Sequence, residues 1–202
     1  MKSTVTIFVL ALFCINVFSQ AEINPYLKYS DPHKMNSPRT YIGFSTGINN
    51  MVGILGITLD QEVNKNFTMG VGIGLSTWGY KWELNVQYYP KGWPGLYIKG
   101  GYSRNTGLVG FETEMELDNG SNQYVMMDLE PVGNIFFTAG HAWKLGKKNK
   151  FYLEGGYALP LVTDDYYSLC DNSVNLSSTS EQVMRILRPG GLVVAIGFNI
   201  SL

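Results

Sequence analysis

From Leu192 to Leu202 the chain alternates without a break between large apolar side chains and small or polar ones. Leu192, Val194, Ile196, Phe198, Ile200 and Leu202 share one face; Val193, Ala195, Gly197, Asn199 and Ser201 share the other. A period of two predicts a β-strand, because successive side chains leave opposite sides of the pleat. About 9–11 residues is also the length at which a tilted strand crosses a bilayer core. The same alternation predicts strands over Tyr41–Asn49, Val52–Asp60, Phe67–Ser76, Tyr80–Tyr89, Leu96–Ser103, Ile135–Leu145 and Phe151–Leu161. With the terminal strand there are eight, an even number, as in single-chain bacterial barrels.

Tyr80–Tyr89 bears most directly on what the pattern means. Trp82, Leu84, Val86 and Tyr88 take one face, and Lys81, Glu83, Asn85 and Gln87 the other. A soluble sandwich turns its large residues inward, whereas a membrane barrel turns them outward to lipid. On the same phases Lys81, Glu83, Lys99 and Glu154 point into the barrel. Eight strands enclose little more than side chains, so these charges are expected to pair into a polar plug. A selectivity ring in a narrow pore is the alternative. The short turn at Pro90–Gly95 sets Lys99 beside Gln87 rather than Glu83, so Glu154 is its expected ionic partner. The phase of Ile135–Leu145 stays open, since Phe136 and Phe137 are adjacent.

The joins sort by parity. Gln61–Asn66, Pro90–Gly95 and Gly146–Lys150 are short and fall at one end, with both barrel termini; Arg104–Gly133 and Val162–Gly190 are long and fall at the other. Trp78, Tyr80 and Trp82 lie near the long-loop end, and Tyr88, Tyr89, Trp93, Trp143 and Phe151 near the short turns. Two aromatic belts at two interfaces are expected of a membrane barrel. Lys65, Lys91, Lys147, Lys148 and Lys150 occupy the short turns, while Glu112, Glu114, Glu116, Asp118, Asp128 and Glu130 crowd one long loop. In these features, from Tyr41 to Leu202, the chain resembles the small eight-stranded outer-membrane proteins of the A and X type. That resemblance implies insertion by the barrel assembly machinery through a terminal signal, here Phe198, Ile200 and Leu202. That group usually ends on phenylalanine, so Leu202 implies a weaker signal.

The N-terminus supplies a compartment. Lys2 is the only charge before Glu22, an apolar run follows from Val5 to Phe18, and Ser19-Gln20-Ala21 offers small residues around a cleavage site. This reads as a secretory signal peptide over 1–21. Phe13 before Cys14 is too bulky for a lipoprotein signal. About 180 residues remain, enough for one domain: an extension over 22–39, taken as periplasmic, and a barrel over 40–202. Cys170 is then the sole cysteine, which rules out an internal disulfide and cysteine-built metal sites. A formal charge of −1 argues against a nucleic-acid partner. No stretch after Ala21 has the length of a membrane-spanning helix, so insertion would be by strands.

Few residues carry chemistry. Gly70-Val71-Gly72-Ile73-Gly74 imitates a phosphate loop, and Leu187-Arg188-Pro189-Gly190-Gly191-Leu192 a methyltransferase turn. A phosphate loop leaves a strand and opens a helix, however, and these glycines recur at every second residue within one strand. His141 followed by Glu154 is loosely similar to the barrel lipid A deacylases, but Trp143 stands where their serine nucleophile would be. His33 has no evident partner. The run Glu112–Asp118 is either a solvated face or a collector of the divalent cations that bridge lipopolysaccharide phosphates. Ser178 and Glu181 suggest a capping box, with Val183, Ile186 and Leu187 as an apolar stripe packing on a loop or rim.

The expectation is therefore an all-β chain: an eight-stranded antiparallel up-and-down transmembrane β-barrel. It is expected to be non-catalytic, without cofactor or metal, and structural or surface-interacting. A lipid-modifying enzyme and a narrow porin-like channel are the alternatives. Its expected place is the outer membrane of a Gram-negative-type bacterium. Its expected partners are membrane lipid and lipopolysaccharide, the assembly machinery and an unidentified extracellular ligand.

Overall fold

The computed structural model describes residues 39–146, 148–161, 166–171 and 174–202. The expected signal peptide over 1–21 and all but the end of the expected 22–39 extension lie outside them. Eight strands close into an antiparallel barrel: β1 (Thr40–Ile48), β2 (Leu55–Glu62), β3 (Phe67–Ser76), β4 (Gly79–Tyr88), β5 (Leu96–Asn105), β8 (Gly133–Leu145), β9 (Asn149–Pro160) and β11 (Gly191–Ser201). Each pairs with its sequence neighbours in the wall, and β1 closes on β11 with Tyr41 opposite Ser201 and Ile48 opposite Val194. Both barrel termini and the three short turns thus lie at one end, here the turn end; the long excursions leave from the other, the loop end.

The wall is inverted relative to a soluble domain. Along β11, Leu192, Val194, Ile196 and Ile200 are exposed while Val193 and Ala195 are buried. Along β4, Leu84, Val86 and Tyr88 are exposed while Lys81, Glu83, Asn85 and Gln87 are buried. The open phase of β8 resolves with Phe136 inside and Phe137 outside. Glycines on the inner face make room: a Cβ on Gly70 would overlap the Asp60 carboxylate, and one on Gly197 the Tyr152 ring.

Three expectations are corrected here. β2 begins at Leu55 rather than Val52, because Asn50, Met51 and Val52 fold into the barrel and are buried. The two long joins carry structure of their own. β6 (Leu108–Glu116) and β7 (Asn122–Leu129) form a hairpin, β10 (Tyr167–Leu169) pairs with β7, and a helix, α1 (Ser178–Leu187), packs on the sheet. Trp78 does not join an aromatic belt. It is buried with Met115, Met127, Leu129, Tyr166 and Met184 in the core of this loop domain, and its indole N–H donates to the Glu130 carbonyl at 2.9 Å.

The α1 cap is also shifted by one residue. Ser177, not Ser178, is the N-cap, its hydroxyl accepting from the Ser180 N–H at 3.2 Å. Met184 and Ser180 face the loop core, while Ser180 Oγ donates to the Glu116 carbonyl at 2.9 Å and so ties the helix to the far end of β6. The stripe Val183, Ile186 and Leu187, expected to pack, is exposed at 41%, 79% and 47%.

Candidate functional site

Two regions carry the chemistry, the filled lumen and the loop domain. The lumen is built by alternation alone, since every inward position of the eight strands faces the same narrow space. Lys99 on β5 lies at its middle. Its Nζ is 3.3 Å from Glu154 Oε1 on β9 and 3.6 Å from Glu83 Oε2 on β4. The structure thus places all four expected plug residues inside, and three of them meet. Lys99 lies opposite Gln87 in register and reaches Glu154, as expected, and it bridges to Glu83 as well. Lys81 stands apart, donating to the Asn50 carbonyl at 3.0 Å.

Neutral groups fix the carboxylates. Tyr97 OH donates to Glu154 Oε2 at 2.9 Å, and Asn85 Nδ2 to Glu83 Oε1 at 3.0 Å. Asp60 is a further buried carboxylate in the same space. It accepts from Asn199 Nδ2 at 3.1 Å and from Gln87 Nε2 and Thr58 Oγ1, each at 3.4 Å. Asp60, Tyr97 and Asn199 were not singled out from the sequence, although the alternation that revealed Lys99 and Glu154 also points them inward. A cavity of about 10 Å³ remains among these side chains, the volume of one water. At the turn end Lys150 closes the space, 3.1 Å from Glu62 Oε1 and over the Tyr41 ring at 4.1 Å.

Toward the loop end, several buried side-chain atoms have no protein partner: Ser103 Oγ, Asn105 Oδ1 and both amide atoms of Asn134. Ser103 lies opposite Glu83 on one side and Asn134 on the other, so these groups share one stretch of wall.

His141 and Glu154 lie on opposite faces of the wall. Glu154 sits across from Gly140, whose face meets the lumenal Tyr97, and His141 stacks outside on Trp143 at 4.5 Å. His33 lies outside the described residues. The glycines of Gly70–Gly74 lie within β3, with no helix following. Among the described residues no group of three or more histidine, cysteine or acidic side chains is placed to hold a metal ion.

The loop domain presents the exposed surface. Glu112, Glu114, Tyr124 and Met126 lie on the face of β6 and β7 away from the core, and Val109 is exposed near the base of β6. Cys170 is exposed beside them, its thiol 3.8 Å from Asp128 Oδ1. Partial desolvation, and then the negative charge of Asp128, hold this thiol above the ordinary cysteine range. No protein-family model matches the chain, and no curated protein is similar enough to count as a relative.

Proposed function

We propose that the chain is a non-catalytic outer-membrane β-barrel of the small A and X type, which anchors the loop domain at the cell surface for a structural or interaction role. The observation that carries this reading is the inversion of the wall. Large aliphatic and aromatic residues cover the outside of a closed barrel while lysines, glutamates and asparagines fill it. In water that arrangement would leave a continuous apolar band unburied; in a bilayer it is the low-energy one. Closure supports the same reading, since it leaves no barrel strand edge unpaired in hydrocarbon. On this reading the acidic and aromatic surface of the loop domain faces lipopolysaccharide and whatever extracellular ligand the protein meets. The buried Lys99–Glu83–Glu154 cluster, with only a cavity of about 10 Å³ beside it, supports a plug rather than a channel. The separation of His141 from Glu154 removes the pairing that suggested a lipid-modifying enzyme.

Paired substitutions on β11 test the reading. Ile196→Lys places a charge on the outer face near mid-strand and is expected to destabilise the folded barrel by about 2–4 kcal/mol in a bilayer. Ala195→Ser, on the inner face where polar groups already lie, is expected to change stability little. Heat-modifiable gel migration after folding into vesicles is the readout. Equal folding of the two variants would show that Ile196 does not face lipid.

Orientation has its own test. On intact cells Cys170 is expected to react with a membrane-impermeant maleimide. Because its thiol pKa is raised, the thiolate is scarce at neutral pH, so labelling should quicken as pH rises and in Asp128→Asn at constant pH. Labelling only after the outer membrane is breached would reverse the orientation.

A further inference from the structure

The loop-domain sheet runs in the order β10, β7, β6, so one side of β6 has no strand beside it. Its far end is already satisfied. The Ser177 N–H donates to the Glu116 carbonyl at 3.0 Å, and the Glu116 N–H donates to Ser180 Oγ at 3.0 Å. The main chain of Glu116 therefore points away from β7. Main-chain groups alternate between the two sides of a strand, so those of Glu114 and Glu112 point the same way. Among the described residues nothing pairs with them there, and their N–H and carbonyl groups stand open on the edge. Such an edge is a template for another strand. The bulge between Leu108 and Phe111 interrupts the ladder at the base of β6, so the stretch free to pair begins above it.

We propose that the open edge of β6 receives a basic, extended peptide segment, which adds to the sheet as an antiparallel fourth strand. This gives the interaction role of the loop domain a partner chemistry and rests on that role. Charge selects the occupant. Glu112 and Glu114 share the exposed face of the sheet, and among the described residues neither carboxylate has an ion pair. A second copy of the chain fits poorly. Antiparallel pairing of two β6 strands about Thr113 would set Glu112 against Glu114 twice, and parallel in-register pairing would set each glutamate against itself. Like charges directly opposite destabilise a strand pair, and opposite charges stabilise it. A lysine or arginine across from each glutamate turns the same guard into a contact. The side chain between those cations faces the other way, where Phe111 is exposed beside Thr113. The segment that fits therefore alternates cationic and apolar residues. In an antiparallel pair, the residue across from an outward-facing main chain exchanges both hydrogen bonds with it. The cationic residues thus supply the main-chain bonds as well as the charge.

The experiment titrates the folded protein, in nonionic micelles, into a fluorescently labelled peptide that alternates lysine and valine, with anisotropy as the readout. Micelles make the test independent of the membrane reading, which the β11 substitutions probe. Two isomers of the peptide carry equal charge, one N-methylated on its lysines and the other on its valines. The unmethylated peptide is expected to bind. Methylation of the lysines removes the donors that face β6 and is expected to weaken binding about tenfold, and methylation of the valines far less. Glu112→Lys with Glu114→Lys is expected to weaken binding by about tenfold or more. Glu114→Pro removes an N–H from the open side of an edge strand, where proline is tolerated, and is expected to weaken binding more than Glu114→Gln does. Heat-modifiable migration shows beforehand that each variant is folded. Equal binding of the two methylated isomers would reduce the contact to charge attraction and overturn the added strand. Binding that survives the double lysine variant, or no binding to the folded protein, would overturn it too. A dimer in micelles that Glu114→Pro dissociates would assign the edge to a second copy instead.

Discussion

Truncation before Leu192 is expected to abolish folded, heat-modifiable protein in vesicles. Strand β11 is the closing element: it pairs with β1 from Tyr41–Ser201 to Ile48–Val194, and with β9 from Gly191–Ala158 to Asn199–Lys150. Its loss opens two edges at once. In hydrocarbon each unpaired backbone group costs several kcal/mol with no water to compensate. It also removes Asn199, a hydrogen-bond donor to Asp60, and Val193, which seats Met51. Phe198, Ile200 and Leu202 leave with it, so delivery to the membrane is expected to fail as well. Refolding purified truncated chain into vesicles separates the two effects. A truncated chain that folds there but not in cells would assign the strand to delivery alone.

Lys99→Met is expected to destabilise the barrel by about 3–5 kcal/mol, the usual cost of leaving buried charges without their partner. Lys99 is shared by Glu83 and Glu154, and all three side chains are almost wholly inside. Removing it leaves two carboxylates, with Asp60 as a third, in a space sized for one water. Adding Glu154→Gln to Lys99→Met is expected to recover part of the loss, because one stranded charge goes and the Tyr97 hydroxyl keeps an acceptor. Urea midpoints in micelles measure both. If Lys99→Met alone unfolds at the parent midpoint, the cluster contributes little and the lumen is far wetter than its geometry implies.

How much of this was legible in the sequence follows from what each residue had to satisfy. The eight wall strands were legible because outward and lumenal positions alternate, and a period of two survives even where glycine takes three successive inward positions, Gly70, Gly72 and Gly74 of β3. The plug was legible for the same reason, once Lys81, Glu83, Lys99 and Glu154 shared the inner parity. The inward turn at Asn50–Val52 was not. Val52 and Ile54 are apolar and adjoin a true strand, so they read as its start. The signal lay at a distance, in Gly56, Gly72 and Gly74, which clear space for a group from outside their own strands. The loop hairpin had a local signal: Asp118-Asn119-Gly120 between two alternating runs, closed by a bond from the Gly120 N–H to the Leu117 carbonyl at 2.8 Å. The exposed stripe on α1 was unreadable because amphipathicity names an apolar face without naming its partner. Here Met184 meets the core and Ile186 does not.

Among the described residues two clusters of buried apolar side chains stand apart, one within the wall around Met51 and Phe136, the other within the loop domain around Met127 and Met184. Exposed Tyr124, Val109 and Ile186 lie on β7, β6 and α1 of the loop domain and belong to neither cluster. Variation at those three positions can therefore alter what the surface meets without being felt by the barrel. That face can thus be remodelled repeatedly on an unchanged wall.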